Sequence, residues 1–120
     1  MRLTTALLAI LLVGCATPDR GVMDFDKRAT ALQPGMTTSQ AAQLMGPPKN
    51  RQFSGDQEAL QWCETSFSSG TTDSFVVAIF YDGRLVQTST YRNSGRGYCE
   101  SFFRPIEWVR PDRIIELRRR

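Results

Sequence analysis

The stretch Leu32–Pro48 reads LQPGMTTSQAAQLMGPP, and its interpretation decides the fold. Two glycines and three prolines bracket a short run of helix formers. Such a segment is either a glycine-rich loop that cradles phosphate or a single helix with marked ends. Thr37 can cap a helix with Gln40 three residues on, the spacing of a capping box. Ala41, Leu44 and Met45 then share one helical face, and Ser39, Gln40 and Gln43 lie on the other. Gly46 falls where a residue of positive φ is wanted after a helix, and Pro47-Pro48 prevent continuation. A phosphate loop would need GxxxxGK[ST], but no lysine opens this helix and the glycines stand eleven residues apart. The glycines and prolines are helix boundaries.

Working outward, Phe25, Ala29 and Leu32 recur at i, i+4 and i+7 and predict a preceding amphipathic helix with Asp24 as its N-cap. Pro34-Gly35 ends it. After Pro48 the pattern turns to strands at Asn50–Phe53 and Ala59–Thr65, joined by the turn cluster Ser54-Gly55-Asp56. Ser68–Asp73 is a polar loop. Phe75–Tyr81, FVVAIFY, is a continuous apolar run suited to a central strand covered on both faces. Asp82-Gly83 joins it to Arg84–Arg92, a strong hairpin signal. Asn93–Gly97 is a loop. Cys99–Trp108 is a short helix or an irregular apolar cover, with Pro105 and Pro111 limiting any helix. Ile114–Leu117 is expected as a final edge strand. The predicted class is α+β, two N-terminal helices packed on one face of a small antiparallel sheet, in a single domain over 22–120.

The first residues read differently. Arg2 precedes the nearly unbroken apolar run Leu3–Val13, too short to span a bilayer with ordinary flanks, so residues 1–14 are expected to be a secretory signal peptide. Leu12-Val13-Gly14-Cys15 resembles the lipobox of bacterial lipoproteins, which implies diacylglyceryl transfer to Cys15 and acylation of its new amino group. Each buried methylene contributes about 0.8 kcal/mol, so three chains would anchor the protein durably. Ala16, in place of the aspartate that resembles an inner-membrane retention signal, favours the outer membrane. Residues 15–21 then form the lipidated cysteine and a short tether.

Without Arg2 the chain carries 14 basic and 12 acidic side chains, a formal +2. The positive charge gathers late, at Arg104, Arg110, Arg113 and Arg118-Arg119-Arg120. An exported chain meets little nucleic acid, so an acidic partner or anionic lipid fits this charge better, within the limits of salt screening. The bland reading of the terminal arginines is a solvated tail. Cys63 and Cys99 remain after Cys15. In an oxidising compartment the simplest reading is a disulfide, with two buried thiols or a redox pair as alternatives; no CxxC supports the last.

The chain has no histidine, which excludes histidine-based triads and histidine-ligated metals or haem. Asp24/Asp26 and Glu64/Asp73 are the acid pairs that could serve acid–base chemistry, but nothing in the sequence places either in a shared cleft. No catalytic residue, metal site or cofactor is expected beyond the covalent lipid on Cys15. Trp62, Phe75, Phe80, Tyr91 and Tyr98 are needed to fill the core of so small a domain. Phe102, Phe103 and Trp108 lie beside arginines in irregular sequence and form, with Arg104 and Arg118–Arg120, the candidate contact surface for a partner or lipid.

Gly35, Met36, Thr37, Gln40, Leu44, Gly46 and Pro48 together resemble the signature of the SmpA/OmlA (BamE-like) outer-membrane lipoprotein family. Met45 replaces the usual leucine and Ala41 a usual valine. The resemblance implies an ααβββ fold on the periplasmic face of the outer membrane. It also implies a non-enzymatic role in binding, assembling or stabilising envelope proteins. The Trp62-Cys63 pair, Cys99 and the segment from Tyr98 onward depart from the family pattern. The same topology resembles half of the β-lactamase-inhibitor protein, so an inhibitor or ligand-binding module acting through its sheet face is the alternative expectation.

Overall fold

The computed structural model describes residues 24–66, 72–94 and 98–118. Residues 1–23, and with them the signal peptide, Cys15 and the tether, lie outside the described residues, as do Arg119 and Arg120. Helices α1 (Phe25–Thr30) and α2 (Thr38–Met45) precede four strands: β1 (Asn50–Ser54), β2 (Gln57–Ser66), β3 (Thr72–Tyr81) and β4 (Arg84–Asn93). The strands form one antiparallel meander in the order β1-β2-β3-β4. A 3₁₀ turn at Cys99–Phe102 and helix α3 (Pro111–Arg118) complete the chain.

The local signals around Leu32–Pro48 produce the expected helix. The Thr37 hydroxyl accepts the Gln40 N–H at 3.1 Å, and the Gln40 side chain accepts the Thr37 N–H at 2.9 Å. Both halves of the capping box are therefore present. Thr37→Ala leaves the Gln40 N–H without this acceptor, and thermal melts should show a loss of about 1 kcal/mol. Gly46 ends the helix at φ 88°, ψ −178°, a region open essentially to glycine alone. Asp24 occupies the N-cap of α1, but its side chain makes no capping bond.

Strand alternation then sorts the sheet into two faces. On one, Leu60, Trp62, Val76, Ala78, Phe80 and Leu85 pack against Phe25, Ala29, Leu32, Ala41 and Met45 of the helical layer. Two side chains lock α2 in place from below its last turn. The Trp62 Nε1–H donates to the Gly46 carbonyl at 2.8 Å, and Arg28 of α1 donates to the Met45 carbonyl at 3.3 Å. These carbonyls are among those a helix end leaves unsatisfied. The Gly35–Thr37 segment also works as a stitch. The Gly35 N–H donates to the Leu85 carbonyl at 2.8 Å, the Leu85 N–H donates to the Met36 carbonyl at 2.7 Å, and Thr37 bridges Arg84. The motif that starts α2 thus pairs with the first residues of β4 and covers that part of the sheet edge.

The Asp82-Gly83 turn has positive φ at both positions, 52° and 75°, the geometry that matches the twist of a two-residue hairpin. Leu85 and Val86, adjacent in β4, point to opposite faces and are buried one in each core, and the register with β3 shifts beside them, between Ile79 and Phe80. All of Phe75–Phe80 is buried, as expected of a strand covered on both sides.

The sheet's second face is where the expectation of a one-sided α+β layer needs correction. A strap from Tyr98 to Arg118 crosses it. Val109, Ile114, Ile106, Trp108 and Leu117 pack on Ala59, Val77, Ile79 and Val86. The expected edge strand at Ile114–Leu117 is instead part of α3. Pro111 suits the first helical position, Asp112 sits in the first turn, and Ile114 and Leu117 at i and i+3 share the face turned to the sheet.

Candidate functional site

The strap is fixed at both ends. Cys99 is disulfide-bonded to Cys63 of β2, with Cα atoms 6.0 Å apart, and both residues are buried against Phe75. Far along the strap, the Gln57 side chain donates to the Val109 carbonyl at 2.7 Å and accepts the Val109 N–H at 3.0 Å. This carboxamide does for the buried Val109 backbone what a neighbouring strand would do. Between these ties, Phe103 meets the Phe75 ring edge-on, and Phe75 stacks on Tyr91 at 4.6 Å between centroids. The Arg104 N–H donates to the Tyr91 hydroxyl at 2.9 Å, and its guanidinium lies 4.4 Å over the Tyr91 ring.

The expected contact residues therefore divide. Phe102 is exposed at 37% and Arg104 is exposed. Phe103 and Trp108 are half-buried and belong to the cover over the sheet. The Arg118 side chain, Arg119 and Arg120 lie outside the described residues. Tyr98, expected in the core, is instead 84% exposed just before the disulfide. Ile115 on α3 is 59% exposed. It borders a groove of about 700 Å³ lined by Tyr81, Trp108, Val109, Pro111 and Ile114, with Arg110 at its rim. Sequence periodicity missed this groove because it forms only once α3 lies across the β1–β2 turn.

The outer surface of the strap thus offers Tyr98, Phe102 and Arg104 near one end and Ile115, the apolar groove and Arg110 near the other. Aromatic side chains and arginine are the types enriched at protein interfaces, where they give large contact area at a small entropic cost. Among the described residues, the core strands β2 and β3 are covered on both faces, so the surface on this side is the outside of the strap and not the sheet face that the alternative reading would use.

Of the candidate acid pairs, the fold separates Glu64 from Asp73 and leaves Asp24 and Asp26 on the surface. Asp24 is exposed, and Asp26 pairs with Arg92 at 2.9 Å. Glu64 faces the helices and meets Arg28 at 3.3 Å, while Asp73 points to the opposite side, fully buried, and accepts from the Thr65 hydroxyl at 2.7 Å. Among the described residues, Cys63, Cys99 and Glu100 come together as potential metal ligands, but the two sulfurs are bonded to each other and neither is a thiolate. No helix among the described residues is long and apolar enough to cross a membrane. The chain matches no protein-family model and no curated protein.

Proposed function

We propose that this protein is a lipid-anchored factor of the periplasmic face of the outer membrane that binds envelope proteins and assists their assembly or stability, without catalysing a reaction. The lipobox-like Leu12–Cys15, the Gly35–Pro48 signature and the order of helices before sheet support a BamE-like reading. The observation that carries the binding role is the strap's surface. Having covered the sheet, the strap still leaves Ile115 exposed beside an apolar groove at one end and Tyr98 and Phe102 exposed at the other. Solvated apolar surface of this kind, rimmed by arginine, marks an interaction site. Anionic lipid is a second ligand for the basic end of the chain.

The test is cross-linking in intact cells. A photoreactive amino acid at Phe102 or Ile115 should give discrete protein adducts on pull-down. The same group at Gln43, on the exposed face of α2, should give none. Recovery of lipid alone at all three positions would overturn the role. Cys15→Ala should move the protein out of the membrane fraction.

A further inference from the structure

The two edges of the sheet are finished differently. β1 has five residues and follows Pro47-Pro48-Lys49 directly. Shortness, proline and lysine are devices that keep an edge strand from pairing with another chain. β4 has ten residues, and only its beginning is covered, where Leu85 turns its N–H and C=O away from β3 to Met36 and Gly35. Leu85 sets the phase of the remainder. Phe80, opposite it, turns its own backbone groups to β2, and β3 pairs with β2 without a break. In an antiparallel ladder every second residue does the same, here Ala78, Val76 and Ser74. Their partners in β4 are Thr88, Thr90 and Arg92, which therefore turn their N–H and C=O groups outward. None of these six groups is hydrogen-bonded among the described residues. Gln87–Asn93 contains no proline or lysine, and Thr88, Ser89 and Thr90 are exposed. Its one charge, on Arg92, is offset by Asp26 at 2.9 Å.

We propose that this edge pairs with the same edge of a second copy of the chain, antiparallel and about a two-fold axis at Thr90. Outward backbone groups on a strand repeat at roughly 6.8 Å, and another extended strand meets them at the same repeat. The free length sets the register. Gly35–Thr37 blocks the strand as far as Leu85, Val86 is the extra residue at the register shift, and β4 ends at Asn93. A pairing that uses all of Gln87–Asn93 is therefore centred on Thr90. A two-fold contact must be complementary to itself. Thr90 faces the partner's Thr90 and, being an outward residue, exchanges both N–H···O bonds with it. Thr88 faces the partner's Arg92, Ser89 the partner's Tyr91, and Gln87 the partner's Asn93. No like charges stand opposite each other, and paired threonines are favourable cross-strand neighbours. Opposite residues share a face, so both straps lie on one side of a continuous sheet of eight strands. A bound protein then meets two strap surfaces, and its first contact strengthens the second. The pairing itself does not depend on that binding role.

The test uses the full chain purified in detergent. In a bonded antiparallel pair the Cα atoms of opposite residues are about 5.5 Å apart, within disulfide range. Copper-phenanthroline oxidation should therefore convert most of a Thr90→Cys variant to a dimer on non-reducing gels. In a Thr88→Cys variant the two Cα atoms lie roughly 14 Å apart, and less than a tenth as much dimer should form. Sedimentation equilibrium supplies a second arm, with variants at an exposed position that keep the circular dichroism of the original. Thr88→Lys sets like charges opposite each other at two symmetric points and should weaken the dimer at least fivefold. Thr88→Glu, facing the partner's Arg92, should tighten it. A chain that stays monomeric at every concentration, or equal cross-linking from Thr88 and Thr90, would overturn the proposal. So would equal dissociation constants for the Lys and Glu variants. In cell membranes, a Thr90→Cys variant bonded to a different protein in place of its own copy would assign the edge to a foreign strand and overturn it too.

Discussion

Replacing Cys63 and Cys99 together by alanine should lower the unfolding free energy by roughly 3–4 kcal/mol in urea titrations, the chain-entropy value for a loop of this length. The bond joins residues 36 apart. The same loss should follow reduction of the unmodified protein by dithiothreitol. Against a typical total of about 5–15 kcal/mol for a domain, this is a large share. In a domain near one hundred residues it corresponds to a fall in melting temperature of roughly 12–30 °C. The effect should also be localised. The disulfide is the strap's covalent tie to the sheet near its start, and Gln57 with the apolar contacts of Val109 and Ile114 holds the remainder. Chymotrypsin should therefore cut first at Phe102 in the reduced protein, before Tyr91 in β4. If the urea midpoint is unchanged on reduction, side-chain packing alone holds the strap, and the bridge adds nothing.

What could be read from the sequence and what could not divides by the range of the interactions. Helix α2 was legible to the residue because Thr37, Gln40 and Gly46 act on atoms within a turn of themselves. The β3–β4 hairpin was legible for the same reason, through Asp82-Gly83. The pairing of Gly35–Thr37 with β4 joins segments far apart and leaves no periodic trace, so the motif's second job was invisible. Ile114–Leu117 shows the limit of a short apolar run, which suits strand and helix equally. Here Pro111 and Asp112 carried the deciding signal. The candidate site was legible in part. Phe102 and Arg104 are indeed exposed, but whether Phe103, Trp108 or Tyr98 turns inward depends on where the strap lies, and the Cys63–Cys99 bond and Gln57 settle that from across the fold. Gln61, fully buried on β2, was unremarkable in sequence, since an alternating strand gives no sign that a polar residue on its inner face will be sealed beneath a later segment.

Trp62→Ala is expected to cost roughly 3–5 kcal/mol, the range for removing a large aromatic from a core. Trp62 is 2% exposed and stands between β2 and the two helices. Its ring fills the space under α2, and its Nε1–H satisfies the Gly46 carbonyl at the end of that helix. Trp62→Phe separates the two contributions. It keeps most of the ring and loses the hydrogen bond, which should cost about 1 kcal/mol for the bond, with any further loss measuring the unfilled part of the site. The chain has two tryptophans, so either variant leaves Trp108 as a single fluorescent reporter in the strap. In Trp62→Phe, unfolding followed by Trp108 fluorescence should coincide with loss of the circular dichroism signal, because strap and helices cover opposite faces of the same two strands, β2 and β3. In Trp62→Ala, α2 loses both its packing partner and its C-terminal tie, so amide exchange in Ser39–Met45 should rise above that of β3. A Trp62→Ala protein within 1 kcal/mol of the original would show that Arg28 and the capping box suffice to hold α2. The helical layer would then be anchored from α1 and Thr37, and the sheet beneath it would contribute little to its position.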